Sequence, residues 1–380
     1  MEIRRPVLVV TADSRSARRL YERLLIYGGT DVSILHFPES DTLPFERITT
    51  DTATTQQRIR TLAALANSEI APPLLVASAP ALAQKTIDRY TFESATHTLR
   101  SGDTTSMKEL LELWEHTGYK FQHNVNSPGE YSRRGGILDI FPVGSESPVR
   151  FELWGDEIDS VRAFNPETQI SIRSMSSVTI HPAEESLPGI LDPKMLDLII
   201  SRIDFSNCTA DAKRRLSQEL NLLMNGNKLE DLNFYSSLFS SGSLLDFFPA
   251  DGVLVMDTPT EILEATHNFD ERMQGLRKIK EQRGELPESF PAPYFIFSEI
   301  QNLISQFRHR LDLTQWGTKD FGHHEAFVLP FETAGSYSGN IDRFTKETVA
   351  MLSKGHLVVT ITSAPIRLRE ILEESGIDTI

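Results

Sequence analysis

Charged and aromatic side chains alternate with apolar ones along one short stretch of the chain, Val149 to Trp154. In an extended strand, Arg150, Glu152 and Trp154 lie on one face, and the apolar residues between them lie on the other. Arginine and tryptophan are residue types that dominate binding hot spots, so this face is typical of a partner-binding surface. The alternative interpretation is a solvated sheet face on which an arginine stacks against the tryptophan ring.

The residues around this stretch predict a twisted antiparallel meander of about three strands. The expected strands, in which apolar residues alternate or cluster, are 137–141, 149–153 and 158–164. A basic turn at 133–136 precedes the first strand, and its two glycines can adopt positive φ without a Cβ clash. Arg134 is therefore expected near the strand that contains Arg150 and Trp154, so that the three side chains can converge on one patch.

The overall composition is that of a globular protein with several domains. The chain has 380 residues, of which 39% are hydrophobic and 24% are charged, and this length predicts roughly two to four domains. Cys208 is the only cysteine, so no internal disulfide is possible and a cytoplasmic location is expected. No apolar run approaches the ~18 residues of a membrane span, and no signal peptide opens the chain.

The distribution of charge favours a protein partner over nucleic acid. The net charge is −15, which repels phosphate on average. Residues 98–183 contain 8 Lys and Arg against 12 Asp and Glu, so Arg133, Arg134 and Arg150 stand out against an acidic background. The charged helix predicted at 261–283 is interpreted as solvent-exposed, and a DNA contact there is left open as an alternative.

Strands alternate with helices on both sides of the meander, which predicts a parallel sheet covered by helices. The expected buried strands are 6–10, 32–37, 74–77 and 252–257. The expected helices are 17–27, 78–84, 108–118, 192–206 and 210–224.

Such a sheet is also the framework of nucleotide-hydrolysing motors, which need a phosphate-binding loop. The pattern G-x-x-x-x-G-K-[ST] is absent, and so is the dipeptide Gly-Lys anywhere in the chain. Asp257 stands alone where a motor carries its metal-binding acid, and we interpret it as the cap of the following helix. The pair His323-His324 fits no metal-site spacing. The sequence therefore predicts no catalytic, cofactor-binding or metal-binding residues.

Three segments resemble the family of bacterial transcription-repair coupling factors: FPESDTLPFE at 37–46, RRGGILDIFP at 133–142 and RFELWGDEIDSVRAFNPETQ at 150–169. The last two also resemble the small second domain of the UvrB excision-repair subunit. After the first segment, UvrB would carry a tyrosine-rich hairpin that wedges into damaged DNA. Here Phe45 is the only aromatic residue between Phe37 and Tyr90. The missing hairpin favours the coupling-factor family.

The resemblance implies an α/β fold with a degenerate, motor-like (RecA-like) parallel-sheet body, an inserted small α+β antiparallel domain and the start of a further α/β domain. The implied segments are 1–97 and 184–325 for the body, 98–183 for the insert, and 326–380 for a linker and a truncated next domain. In that last segment we expect a helix to 352, a strand at 356–362 and a helix at 366–375.

The resemblance also implies a non-catalytic recruitment module that binds the UvrA damage-recognition protein through the insert. Arg134, Arg150 and Trp154 match the contact positions of the family, and Arg133 and Glu152 are expected to take part in the same UvrA contact. RNA polymerase and DNA would be bound by downstream domains that are absent here, and no membrane partner is expected.

Alanine in place of either arginine, Arg134 or Arg150, is expected to weaken UvrA binding with little loss of folding stability. The alternative is an ATP-dependent DNA repair enzyme of UvrB or helicase type, which would need the missing phosphate loop.

Overall fold

The structure is a computed structural model that describes residues 5–29, 32–47, 51–67, 73–227, 229, 231–314, 327, 329, 337, 340–362, 364–377 and 379. The pair His323-His324 lies outside these residues. The chain forms two compact units, 1–316 and 317–380.

The first unit contains three successive sets of helices and strands. The first set is β1 (Val7–Thr11), α1 (Ser14–Tyr27), β2 (Ile34–Phe37), α2 (Thr52–Ala66), β3 (Leu74–Ser78), α3 (Ala79–Ala83) and α4 (Arg89–Ala95). The second is β4 (His97–Arg100), α5 (Met107–His116), β5 (Lys120–Phe121), β6 (Glu130–Arg134), β7 (Ile137–Ile140), β8 (Val149–Trp154), β9 (Glu157–Phe164), β10 (Ser171–Ser174) and β11 (Ser177–Ile180). The third is α6 (Pro193–Ser201), α7 (Ala210–Met224), a 3-10 helix (Leu232–Leu238), α8 (Leu244–Phe247), β12 (Val253–Asp257), α9 (Pro259–Gln282), α10 (Phe297–Ser305) and β13 (His309–Leu313).

A parallel five-stranded sheet forms the body, in the order β13-β12-β1-β3-β2. All of its neighbouring strands run parallel, as the continuous apolar sequences of β1, β3 and β12 predict. The helices α1, α2 and α9 pack against it. The sheet takes strands from both ends of the unit, so the residues between β3 and β12 include an insertion. The predicted α/β class is confirmed.

The insertion carries a six-stranded sheet in the order β10-β9-β8-β7-β6-β5. The predicted meander corresponds to β7, β8 and β9, which pair antiparallel, and β6 and β10 extend it on either side. One face packs on α5 through the buried ring of Trp114, whose centroid lies 5.9 Å from that of Tyr131 and 6.3 Å from that of Phe151. The opposite face carries polar side chains.

Two strands form a neck where the chain enters and leaves the insertion. In this neck, β4 and β11 pair antiparallel, with His97 opposite Ile180. Trp114 Nε1 donates a hydrogen bond to His97 Nε2 at 3.1 Å, and His181 stacks on Phe92 with ring centroids 5.6 Å apart. The apolar core is continuous from the parallel sheet to the inserted sheet.

A second core lies among the helices of the third set, and the residues that follow β2 contribute to it. Phe45 is buried there, 6.4 Å from both Phe290 and Tyr294 by ring centroids. Its φ is +62°, a left-handed conformation that is unfavourable for an aromatic residue. Arg47 follows it and forms an ion pair with Glu219 at 2.8 Å. The residues after β2 thus fasten the helices to the body.

The predicted helix cap at Asp257 is wrong. Helix α9 begins at Pro259, and its N-cap residue is Thr258, which has a φ of +63° and makes no capping hydrogen bond through its side chain. Pro259 favours this start because its fixed φ suits the first helical turn. Two of the basic residues of α9 form ion pairs with acids: Arg277 with Glu281 at 2.6 Å and Lys280 with Glu46 at 3.2 Å.

The described residues of the second unit form two helices, α11 (Ile341–Ser353) and α12 (Pro365–Glu374), around a small apolar core. The strand predicted at 356–362 is wrong, because these residues form no strand ladder. Leu357, Val359 and Ile361 are exposed. A strand needs a neighbour to pair with, and the described residues of this unit provide none.

None of the described helices is long and apolar enough to cross a lipid bilayer. Within the same residues, no group of three or more His, Cys, Asp or Glu side chains is placed to hold a metal ion.

Candidate protein-binding surface on the inserted sheet

The register of the inserted sheet brings charged residues from four strands onto one face. Asp139 on β7 is directly opposite Ser132 on β6 and Arg150 on β8, and Arg150 is opposite Arg162 on β9. Cross-strand neighbours share a face, and so do residues two apart on one strand. We call this the arginine face; its charged and aromatic members are Arg134, Asp139, Arg150, Glu152, Trp154 and Arg162.

A buried carboxylate lies at the centre of the arginine face. Asp139 is 1% exposed, and both of its oxygens accept hydrogen bonds from arginines. Arg150 donates from Nε to Oδ1 at 2.7 Å and from Nη2 to Oδ2 at 2.9 Å. Arg134 donates from Nη2 to Oδ2 at 2.8 Å. The predicted convergence of the two arginines is therefore present, and the carboxylate between them holds them together.

Arg150 is occupied by contacts within the chain. Its side chain is 16% exposed, its guanidinium lies 4.6 Å from the centre of the Phe164 ring, and its Nη1 donates to the carbonyl of Gln169 at 3.3 Å. The hydrogen bonds to Asp139 raise the pKa of the guanidinium above its ordinary value. These contacts argue against the expectation that alanine at Arg150 costs little folding stability, because the substitution removes the bidentate partner of a buried carboxylate.

Arg134 is much more accessible. Its side chain is 48% exposed, and besides the bond to Asp139 it makes only a long contact with Gln169 Oε1, at 3.5 Å. Within the described residues, its Nε and Nη1 groups make no hydrogen bond. Arg134 therefore has N–H groups that can be donated to a partner.

Trp154 is the most exposed large apolar side chain of the arginine face, at 85%. It lies at the end of β8, opposite Glu157, where the chain turns at Gly155 with a φ of +63°. The stacked arginine–tryptophan pair considered from the sequence is not formed. Within the described residues, no cation lies over the Trp154 ring, and Arg150 lies over Phe164 instead.

Glu152 and Arg133 differ in where the structure places them. Glu152 lies on the arginine face and accepts hydrogen bonds from Ser160 Oγ at 2.9 Å and Arg162 Nη2 at 3.1 Å. Arg133 is exposed, but the register pairs it with Leu138, so it lies on the opposite face of β6. The structure therefore does not bring Arg133 together with the other predicted residues.

Three residues of the surface were missed from the sequence: Asp139, Arg162 and Gln169. A feature of the sequence does point to Asp139, because it is the single acid between apolar neighbours on a predicted strand. No feature of the sequence points to Gln169. It is held at a φ of +60° by a turn in which Asn165 Oδ1 accepts hydrogen bonds from the backbone N–H groups of Glu167 and Thr168, both at 2.9 Å.

The body has acidic side chains where a motor would bind phosphate, at the start of α1. The carboxylate of Asp13 accepts hydrogen bonds from the backbone N–H of Ser16 at 2.9 Å and from its hydroxyl at 2.7 Å. Glu39, which follows β2, is half-buried, and burial raises its pKa although Ser14 hydrogen-bonds it. The N-terminus of a helix attracts anions. At the start of α1 the acidic groups are side chains of the protein itself, Asp13 and Glu39.

Part of the chain matches a known domain family. Residues 98–185 match the family model of the UvrB interaction domain. This match contains the six-stranded sheet and every residue of the arginine face.

A longer part of the chain is homologous to the N-terminal region of transcription-repair-coupling factors. It is 29% identical to the factor of Bacillus subtilis over 287 residues, which are 72% of this chain and 23% of the relative. It is 26% identical to that of Escherichia coli over 267 residues, 68% of this chain and 22% of the relative. It is 35% identical to that of Mycobacterium tuberculosis over 181 residues, 46% of this chain and 14% of the relative. The chain therefore spans less than a quarter of the length of these relatives.

Proposed function

We propose that this chain is a non-catalytic recruitment module that binds the UvrA damage-recognition protein through the arginine face and so couples stalled transcription to nucleotide excision repair in the cytoplasm. One observation carries the proposal: Arg134 and Trp154 are exposed on one face of the six-stranded sheet, inside the residues that match the UvrB interaction domain.

The two exposed side chains suit a protein partner that offers a carboxylate and an apolar pocket. A guanidinium binds a carboxylate through two parallel hydrogen bonds, which gives both strength and direction. A tryptophan on a fixed strand buries a large area in a partner pocket with little loss of conformational freedom. Glu152 and Arg162 neutralise one another at 3.1 Å beside them and would form part of a polar rim.

The absence of catalysis is part of the proposal. The enzyme alternative requires a site for nucleotide phosphates, and in a motor fold this site lies at the helix after the first strand. In this chain Asp13 caps that helix and Glu39 lies close to it, so a phosphate would meet two carboxylates and no lysine of a phosphate loop. This arrangement supports a recruitment role over nucleotide hydrolysis.

The test is a titration of purified UvrA with the wild-type chain and with Arg134→Ala and Trp154→Ala. We expect each substitution to weaken binding by about 2 kcal/mol, because each removes an exposed side chain of a type that dominates binding hot spots. Two matched controls are available. Tyr90→Ala removes an equally exposed aromatic side chain from α4, and Arg133→Ala removes a neighbouring charge from the opposite face of β6.

Both controls are expected to bind within about 0.5 kcal/mol of wild type, as surface substitutions outside an interface do. Thermal melts show whether each variant is folded. Wild-type affinity in the folded Arg134→Ala and Trp154→Ala variants, or failure of the wild-type chain to bind UvrA, would contradict the proposal.

A further inference from the structure

We propose that Asp139 is a positioning residue of this surface: it fixes the guanidinium of Arg134 for a carboxylate of UvrA, and Arg150 serves to hold Asp139 in place. The inference rests on the proposed function, and it assigns different roles to two arginines that the sequence treats alike.

The hydrogen bonds of Asp139 define the two roles. Arg150 covers the carboxylate with a bidentate pair at 2.7 and 2.9 Å, and Arg134 reaches only one oxygen, through Nη2 at 2.8 Å. Arg150 is further held by the Phe164 ring and by the carbonyl of Gln169. Arg134 keeps its Nε and Nη1 groups free of hydrogen bonds within the described residues. Arg134 therefore has more N–H groups left to donate to a partner than Arg150 has.

The charges of the cluster indicate which chemical group the partner must present. Two guanidinium groups surround one carboxylate, so one positive charge is in excess, and it lies on the accessible arginine. A carboxylate of the partner would neutralise this charge, and a phosphate-rich polymer would meet the acidic surroundings of residues 98–183.

A fixed guanidinium improves binding by lowering the loss of conformational freedom on association. A free arginine side chain loses much rotamer freedom when it is immobilised at an interface. Asp139 is almost fully buried and is held by Arg150, so the acceptor of the Arg134 hydrogen bond is already in place in the unbound protein, although the guanidinium itself is half-exposed. Positioning of this kind lengthens the lifetime of the complex, whereas net charge controls the rate of encounter.

The experiment uses a double substitution that leaves net charge unchanged, Asp139→Asn with Arg150→Gln. It replaces the buried ion pair by neutral hydrogen-bonding side chains, so the anchor of Arg134 becomes a weaker bond to an amide instead of a carboxylate. In surface-plasmon measurements on purified UvrA, we expect an unchanged association rate constant with the same salt dependence, and a dissociation rate constant raised on the order of tenfold. The matched control is Arg310→Gln with Asp312→Asn, a bidentate pair on β13 at 2.7 and 3.0 Å, for which no change is expected.

A thermodynamic cycle separates positioning from general loss of structure. If Asp139 acts through Arg134, the double substitution has no further effect on dissociation once Arg134→Gln is present. An equal loss in both backgrounds, or dissociation at the wild-type rate when Arg134 is intact, would overturn the inference. Should the double variant melt far below wild type, Asp139→Glu in the same cycle replaces it, since it retains the charge and displaces the carboxylate by one methylene.

The outcomes also separate this inference from the proposed function. If the wild-type chain does not bind UvrA, the proposed function fails and the inference fails with it. If the wild-type chain binds and Arg134→Gln weakens binding, while the changes at Asp139 have no effect, the inference alone is overturned.

Discussion

Arg58 on α2 and Glu185 form a bidentate ion pair, with Nε 2.5 Å from Oε1 and Nη2 2.9 Å from Oε2. Arg58 is 2% exposed, lies 4.1 Å from the centre of the Phe37 ring, and donates to the carbonyl of Pro38 at 2.9 Å. Glu185 is the last residue of the matched domain and also accepts a hydrogen bond from the hydroxyl of Thr86. The pair thus joins the body to the segment in which the chain leaves the insertion.

Removal of one member of this pair should strongly destabilise the first unit. We expect Arg58→Ala to lower the free energy of unfolding by about 3–5 kcal/mol, because it leaves a largely buried carboxylate without its partner. Urea unfolding followed by circular dichroism measures the change. The matched control is Arg60→Ala, an exposed arginine on the same helix, for which we expect less than about 0.5 kcal/mol.

Replacement of both Arg58 and Glu185 tests whether the unpaired carboxylate is the cause of the lost stability. Arg58→Met with Glu185→Leu removes both charges and retains apolar volume, so it should recover most of the stability that Arg58→Ala loses. If the double variant is as unstable as Arg58→Ala, the loss comes from packing of the arginine side chain against Phe37 and not from the unpaired carboxylate.

The two histidines of the neck should make stability depend on pH. Burial lowers the pKa of His181 to about 4, and the neighbouring His97 adds to the shift. Burial also lowers the pKa of His97, whose Nε2 accepts the hydrogen bond of Trp114 and must therefore be unprotonated. Both histidines are neutral in the folded protein and titrate near 6.5 when unfolded.

The stability that His181 contributes is therefore complete above about pH 6.5 and is lost as the pH falls from there towards about 4, and the contribution of His97 is lost in the same direction. For His181 the loss amounts to about 3 kcal/mol by linkage. Urea unfolding of wild type and of His181→Gln between pH 7.5 and 4.5 isolates the contribution of His181. The difference in the free energy of unfolding between the two proteins should shrink as the pH falls. His123→Gln, at an exposed position, is the control. A difference that is constant with pH would refute the linkage.

The parallel sheet and the meander could be predicted because their signals are local. Continuous apolar residues in β1, β3 and β12 indicate strands buried on both faces, and alternation in β8 and β9 indicates strands with one polar face. The same alternation placed Arg150, Glu152 and Trp154 on one face. At 356–362 the pattern was equally clear, but a strand also requires a partner strand, which sequence periodicity cannot supply.

The contacts within the arginine face could not be predicted because they depend on register and on backbone conformation. Asp139 meets Arg150 only because β7 and β8 pair in one register out of several. Gln169 reaches the two arginines through a turn with positive φ, and Phe45 enters the second core through another. Non-glycine residues adopt such conformations when the surrounding structure imposes them, so no short segment of sequence reveals them.

Nucleotide should not bind to the body. With carboxylates of Asp13 and Glu39 at the start of α1, added ATP and Mg²⁺ should leave the melting temperature unchanged, because only a ligand of the folded state raises it. A thermal shift titration and a turnover assay with and without DNA measure this. A concentration-dependent rise in melting temperature, or turnover abolished by Asp257→Ala, would contradict the expectation.

The two arginines of the surface should differ in their effects on folding. Arg150→Ala removes two of the three hydrogen bonds to the buried Asp139 and the contact with Phe164, so we expect it to lower the free energy of unfolding by about 2–4 kcal/mol. Arg134→Ala removes one bond from a half-exposed side chain, and solvent screening limits its effect to less than about 1 kcal/mol.

Urea unfolding of the two variants and of wild type measures the difference, and Arg150→Ala combined with Asp139→Asn provides the control. In that combination no buried charge is left without its main partner, so part of the lost stability should return. Equal stability of Arg134→Ala and Arg150→Ala would mean that water replaces Arg150 at Asp139 without penalty. Because Arg150→Ala is expected to lower stability, loss of UvrA binding in this variant is evidence for a contact only at temperatures where its melt shows a fully folded protein. Arg134→Ala tests the contact directly.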